Sequence, residues 1–561
     1  MMKNKNLKSV LLISLLLIVI NLAGNFYFLR FDLTADHRYT LSPTTLKIIK
    51  EVKEPLIIDV FLKGEFPGEM KKLQTETQQI LEEFKAYNSN IMFQFVNPLE
   101  EEDKRDETIQ SFVERGLTPI NLTLNDKGKQ TQEVVFPWAI TTYHEQSISV
   151  PLLKNIMEAS TAEKVVSSVQ HLEYAFTNAI NTVTKKEHKK VIIIKGNDEL
   201  DDQYIFNFIK SVKENYLIAK FPLDSININP TAGLKFLKKY DLAIIAKPKK
   251  PFSDEQKQVL DQFIVNGGKA IWLVDPVHME MDSLNNETGT NLAFPIDLNL
   301  NDLFFKYGIR IHPALIKDLQ ASPIVLETGE PGTGTQKIKL PWYYSPMVYP
   351  SQNTKHPISS NLDAIKFQFA SPIETLKNDI NKTILLQSSQ YSKLVGTPTE
   401  VSLRMVSEEL TPKDFYGYGN YPVAVLLEGK FHSVYENRIL PFKDATYKNI
   451  GKNSKMIVIS DGDVIKNELD KKGNDVELGL DQRTGFFYGN KEFLMNCVNY
   501  LLDDNGLINI RSKVVNLPIL DKEKVYDNYT IAQIISVGLP LIILGIFGLL
   551  FTFLRKRKYS K

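Results

Sequence analysis

A chain of 561 residues with a single cysteine, Cys497, has no internal disulfide and no cysteine-rich zinc site. Its eight histidines are scattered, without the paired spacing on one element that metal sites use. H-E-x-x-H and the G-x-S-x-G elbow are both missing. So is the phosphate-cradling G-x-x-x-x-G-K-[ST]: the nearest stretch, GEPGTGT at Gly329 to Thr335, has Thr335 where the lysine is needed and follows no strand pattern. Charge of one sign is lacking too, since 67 Lys and Arg face 66 Asp and Glu for a formal net charge of +1. With the basic residues spread along the chain, a nucleic-acid groove has no support. These absences argue against an ATPase, a zinc hydrolase, an elbow-type serine hydrolase, a disulfide scaffold and a nucleic-acid binder. No motif calls for a cofactor, and repeats and low-complexity tracts are missing as well.

Two long apolar runs are present. Val10 to Leu29 carries no charge and follows Lys3, Lys5 and Lys8; Ile531 to Leu554 carries none and is closed by Arg555, Lys556, Arg557 and Lys558. Each is long enough to span a bilayer, and basic residues on the outer flank of both put both termini in the cytoplasm. INLAGNFYF offers no small-residue cleavage site, which favours an uncleaved anchor over a signal peptide. The expected layout is a cytoplasmic tail over 1–9, spans over 10–29 and 531–554, a basic cytoplasmic tail over 555–561, and a bulk that faces the periplasm of a bacterial inner membrane.

The stretch RFDLTADHRYTLSPTTLKII, Arg30 to Ile49, starts the outer part. Asp32, Asp36 and His37 lack metal-ligand spacing, whereas Ser42 as N-cap, Pro43 at the first helical position and Leu46, Ile49 and Val52 at helical spacing read as scaffolding. An α-β-α-β order then runs through PLIIDVFLKG and IMFQFVNP to a hairpin over INLTLNDKGKQTQEVVF, turning at Asn125 to Gly128. This predicts a thioredoxin-like α/β domain over 30–158 without the redox Cys-x-x-Cys. The capping box Ser160 to Glu163 opens a linking helix over 159–187. From 188 to 520, short continuous apolar runs alternate with amphipathic helices, as in a parallel sheet covered on both faces, which predicts a Rossmann-like or flavodoxin-like α/β body. The Gly- and Pro-rich insert around 327–350 reads as an exposed excursion, and 521–530 as a stalk.

In an open α/β sheet, ligands sit beyond the carboxyl ends of the strands. The candidate ligand residues are therefore Gly196, Asn197 and Asp198 after the first run, with Glu199 beside them, Lys247 after the third, and Asp275 and His278 after the fourth. The plain alternative is that strand ends are turns, and turns are polar. SDGD, Ser460 to Asp463, resembles a cation loop, but a tight turn explains it without an ion. No metal site and no catalytic residues are assigned.

The segments FDLTADHRYTLSPTT, NAINTVTKK, GGKAIWLVDP, YPVAVLLEGKFHSVYENR, MIVISDGDVI and NKEFLMNCVNYLLDD make the whole chain resemble the ABC-transporter auxiliary family, and within it the gliding-motility-associated components of the GldG type from Bacteroidetes. That resemblance implies a noncatalytic, membrane-anchored partner of an ABC ATPase and a membrane permease, serving gliding and surface secretion. The middle of the chain also resembles the class I glutamine amidotransferases, but their nucleophilic cysteine is missing, since Cys497 lies far off in a helix. Two other functions stand beside the auxiliary one: an extracytoplasmic solute-binding module using the strand-end crevice, and a hydrolase centred on Asp275 and His278. The auxiliary reading is compatible with a homo-oligomer.

Overall fold

The computed structural model describes residues 12–19, 32, 34, 36–126, 129–185, 187–328, 336–350, 356–513 and 522–559. The chain divides into two units, residues 1–514 and 515–561.

Local chemistry sets the start of the first unit. Asp32 accepts hydrogen bonds from the Thr34 N–H (2.9 Å), the Tyr39 N–H (2.9 Å) and the Thr40 hydroxyl (3.0 Å), closing a turn. Burial pushes its carboxyl up, but those donors outweigh it and hold the group at about 2. Helix α1 (Pro43–Lys50) begins as its sequence predicts, with the Ser42 side chain accepting from the Thr45 N–H and Pro43 at the first position. Strand β1 (Leu56–Val60), helix α2 (Gly68–Tyr87), β2 (Ile91–Phe95), β3 (Trp138–Tyr143) and β4 (Gln146–Pro151) follow. They make a four-stranded sheet in the order β2-β1-β3-β4, parallel at β1–β2 and antiparallel at the other two pairs. The hairpin expected before β3 is present as Ile120–Asp126 paired with Lys129–Val135; Lys127 and Gly128 of its turn lie outside the described residues. Helix α3 (Thr161–Thr184) opens on the capping box formed by Ser160 and Glu163.

The main sheet has seven strands: β5 (Lys190–Lys195), β6 (Leu217–Pro222), β7 (Leu242–Ala246), β8 (Lys269–Leu273), then, after two strands of another module, β9 (Ala321–Thr328) and β10 (Gln336–Val348), come β11 (Asn381–Gln387), β12 (Pro422–His432) and β13 (Ile450–Ile459). Its order is β11-β12-β13-β8-β7-β5-β6. The five strands from β6 to β13 run parallel, and β12 and β11 close one edge antiparallel. The continuous apolar runs are explained by two covered faces: Val191 and Ile193 pack into one core with helix α4 (Asp202–Lys213) and helix α6 (Asn490–Leu502), while Ile192 and Ile194 pack into the other with helix α5 (Asp254–Val265) and Trp272. Each such side chain contributes roughly 1.5–3 kcal/mol by leaving water.

Residues 277–406 contribute a third core, built by Val277, Ala293, Leu315, Trp342, Tyr344, Phe369 and Val401 from short antiparallel pairings. Here the structure departs from the expected excursion around 327–350. Gln336–Val348 is a thirteen-residue strand with Trp342 buried, paired to β9. Pro341 and Pro346 mask the strand signal in the sequence; the GEPGTGT stretch itself lies outside the described residues.

In the second unit, the helical run Tyr529–Lys558 has 30 residues and a mean hydropathy of 2.6, long and apolar enough to cross a membrane. It is the one such helix among the described residues, so two flanking spans are not established. Of the expected span over 10–29, only residues 12–19 are described; they are helical, with exposed side chains.

Candidate functional site

In the main sheet the first strand, β5, lies between the second and the third, so the winding reverses between β5 and β7, where open α/β sheets hold ligands beyond the carboxyl ends. The loops there are stitched to one another. The Asn197 carbonyl accepts from the Lys249 and Lys250 N–H groups (2.9 and 3.0 Å), its side-chain amide donates to the Pro251 carbonyl (3.0 Å) and Gln256 (3.1 Å), and its own N–H donates to Glu199 (2.8 Å). Gly196, at φ 121°, sits where a Cβ would lie 1.8 Å from the Asp224 carboxylate, so only glycine fits. Asp198, at φ 60°, is exposed and 3.9 Å from Lys250.

Lys247 points into a cage of carboxylates. Its Nζ lies 2.7 Å from Asp463, 3.0 Å from Glu280 and 3.3 Å from Asp275, with its side chain 3% exposed. Asp461 adjoins them: its carboxylate accepts from the Gln368 and Asp463 N–H groups, and the Gly462 N–H donates to Asp275. Burial would strip the Lys247 ammonium of its proton, but the surrounding acids outweigh it and hold the group well above its usual range. Burial raises Asp275 to about 6 against the pull of Lys247, and raises Asp461 well above the carboxylate range, with the Asp275 and Asp463 charges adding to it. A Cβ on Gly462 would meet the Lys247 Cβ and Cγ at 2.4 Å, so the glycine of SDGD is the seat on which the lysine stem lies.

Of the expected residues, Lys247 and Asp275 come together here, while Gly196, Asn197 and Asp198 belong to the neighbouring stitched loops. His278 does neither: in the short pairing of Val277–His278 with Phe294 and Pro295 its ring lies tilted by 37° against Phe294 at 4.9 Å between ring centroids. Sequence reasoning missed Glu280, Asp461 and Asp463 as members. The signal for the last two was there, because SDGD follows the apolar run MIVI just as LVDP follows GGKAIW.

Oxygens of Asp275, Asp461 and Asp463 lie within 4.8 Å of one another, a donor set that suits a hard cation. Lys247 already supplies the positive charge. A lysine held protonated is neither a base nor a nucleophile. Beside the cage opens a cavity of about 810 Å³, in the size range of ligand pockets, between the sheet's carboxyl edge and the β-rich module. Asp463 and Gln368 reach it; Lys247, Asp275 and His278 do not line it.

Residues 188–497, more than half of the chain, match the model of a family described as an ABC-type uncharacterized transport system. The chain belongs to this family. A transporter-associated auxiliary role comes with that membership, and the matched segment contains the main sheet's parallel strands, the lysine cage and the cavity. Residues 35–142 match a domain of unknown function. An uncharacterized protein of Borreliella burgdorferi (strain ATCC 35210 / DSM 4680 / CIP 102532 / B31) is 25% identical over 403 residues, 70% of this chain and 71% of that protein. Among solved structures, the mmIFT52 N-terminal domain aligns with 56% of this chain and 99% of its own at 12% identity and a TM-score of 0.30. A ThuA-like protein from Parabacteroides merdae ATCC 43184 aligns with 60% and 94% at 10% identity and a TM-score of 0.27. Likenesses of that size carry no inference about this chain.

Proposed function

We propose that the protein is a noncatalytic auxiliary subunit of an ABC transporter, anchored in the bacterial inner membrane by two spans, with both termini cytoplasmic and a periplasmic body that meets an ABC ATPase-bearing permease complex. On this reading it serves gliding motility and surface secretion, as the sequence resemblance implies. The strand order of the first sheet supports a thioredoxin-like domain, and that of the main sheet a flavodoxin-like one. The observation that carries the membrane part is at the body's root. The Lys513 ammonium donates to the Arg38 carbonyl (3.1 Å), the Thr40 carbonyl (2.9 Å) and the Glu173 carboxylate (2.7 Å). The chain therefore enters and leaves the body at one point, the arrangement two spans in one membrane require. The noncatalytic part is supported by the caged, protonated lysine at the strand ends. Reporter fusions after Ser9 and after Lys558 are expected to register the cytoplasm, and one near Gly334 the periplasm; a processed N-terminus near Ala23 would refute the two-span anchor.

The cavity favours a second reading, a solute-binding module. Thermal shift against a library of periplasmic solutes separates the two: stabilisation by a solute supports binding, and unchanged melting with co-purification of an ATPase supports the auxiliary role.

A further inference from the structure

Strand β9 forms one wall of the cavity, and its free edge is what faces the space. Pro323, Ile324, Val325 and Leu326 all line it. Successive side chains of a strand point to opposite faces, so four consecutive residues can border one cavity only along the strand's edge. In the order of that small sheet β9 is terminal, paired to β10 alone.

The register shows which backbone groups are free. Pro323 stands opposite Pro341. Two prolines have no N–H to exchange, so theirs is a non-hydrogen-bonded pair, and alternation makes Ile324 and Leu326 bond to β10 while Val325 and Glu327 point their N–H and C=O outward. The Val325 N–H has no partner among the described residues.

The rest of the lining carries charge of both signs. Of its acids, Asp463 accepts from Lys247 (2.7 Å), Asp481 from Lys366 (2.8 Å) and from the Arg483 and Thr484 N–H groups, Glu468 from the Gln482 N–H and side chain, and Asp470 from the Lys472 and Asn474 N–H groups, while Asp282 is exposed. Of its cations, Lys366 is held by Asp481, and Lys466 stands 4.0 Å from Asp463 with its ammonium 5.2 Å from the Tyr204 ring centroid; Arg483 and Lys471 are exposed without a side-chain partner among the described residues.

We propose that the outer edge of β9, with the cavity beside it, docks an extended acidic peptide of a partner protein, which adds a strand at Val325 and Glu327 and sets its carboxylates against the exposed Arg483 and Lys471. This deepens the auxiliary reading by naming a contact of the body, but it does not depend on the spans, the topology or the transporter.

The test uses the full chain in detergent micelles and a fluorescein-labelled heptapeptide alternating glutamate and valine, with a lysine-valine counterpart and a copy N-methylated at alternate residues. Saturable binding of the acidic peptide is expected, weakened at least tenfold by N-methylation and at least tenfold by Val325→Pro. Proline at an outward-facing N–H leaves the β10 ladder intact, so that variant keeps its fold. Arg483→Glu is expected to weaken the acidic peptide several-fold and to strengthen the lysine peptide. Equal binding of the N-methylated copy, which needs no change to the protein, would mean charge alone holds the ligand and would overturn the docked strand. So would no saturable binding of the acidic peptide, or a Val325→Pro variant that binds unchanged. None of these outcomes alters the fusion results on which the two-span reading stands.

Discussion

At the scale of single residues, the lysine cage is where stability and pH meet. Replacing Gly462 by alanine puts a methyl against the Lys247 Cβ rather than its mobile end, so the lysine stem has to lift from its seat. We expect a loss of about 1–3 kcal/mol in denaturant unfolding, with an unchanged fold by circular dichroism. Lys247→Met removes the charge itself and leaves Asp275, Asp463 and Glu280 buried or half-buried together, at a cost of about 3–5 kcal/mol near pH 7.5. The sign of the pH effect follows from the acids. Asp275 sits at about 6 in the folded chain against an ordinary value of 3.8, so between these pH values it holds more of its proton in the folded state than in the unfolded one, and its contribution to stability falls as pH rises through the window; Glu280, which Lys247 holds below its usual range against burial, contributes with the opposite sign. Without Lys247 the cage acids lose the charge that opposes burial and hold their protons more tightly. The variant's deficit should therefore shrink on going from pH 7.5 to pH 4.5. A deficit equal at both pH values would show that the cage is not ionised as described. Part of this site was legible in sequence and part was not. Strand-end position alone pointed to Lys247 and Asp275. Asp463 reaches Lys247 from 216 residues away, and nothing local in SDGD distinguishes a turn that seats a lysine from a turn that does not.

At the scale of elements, legibility follows how local the cause is. The Ser42 cap, the Ser160 and Glu163 box and the continuous apolar runs of β5 and β7 are written in neighbouring residues, and each appears where its pattern predicts. The β-rich module was obscure, because its longest strand carries prolines and its short strands take their partners from distant segments, as Ala314–Asp318 does from Ser392–Gly396. Helix α3 shows what a legible element can hide. Its amphipathic pattern announces a buried face, but not that Glu173 on that face accepts from the Ser42 N–H (2.7 Å), the Thr45 hydroxyl (2.8 Å) and Lys513. Glu173→Ala should cost about 3 kcal/mol by leaving Lys513 without its counter-charge. Its specific signature is faster hydrogen exchange of the Ser42 amide, with protection in β7 unchanged. Uniform loss of protection throughout the sheet would instead mean that Glu173 serves general packing.

At the scale of the whole molecule, the proposed topology separates a body without a phosphate loop from an ATPase on the other side of the membrane. On that proposal, coupling runs through spans packed against a permease and through the roots of the body. The sequence alone would set the start of a released body at Ser42. The structure moves it back, because Arg38 and Thr40 supply carbonyls to Lys513, the Tyr39 hydroxyl donates to Glu76 (2.9 Å), and Asp32 holds the turn that presents them. A fragment of residues 32–520 should fold as a soluble protein and fail to co-purify with the permease. A fragment of 42–520 should also fail, and should melt at a lower temperature, since Lys513 loses two of its three acceptors. If Asp32→Ala in the longer fragment lowered its melting point to that of the shorter one, the turn would be identified as the part that matters. Capture of the permease by residues 32–520 as efficiently as by the full chain would place the coupling in the periplasm, where the β9 edge would be the first surface to examine, and would rule out the spans as its route.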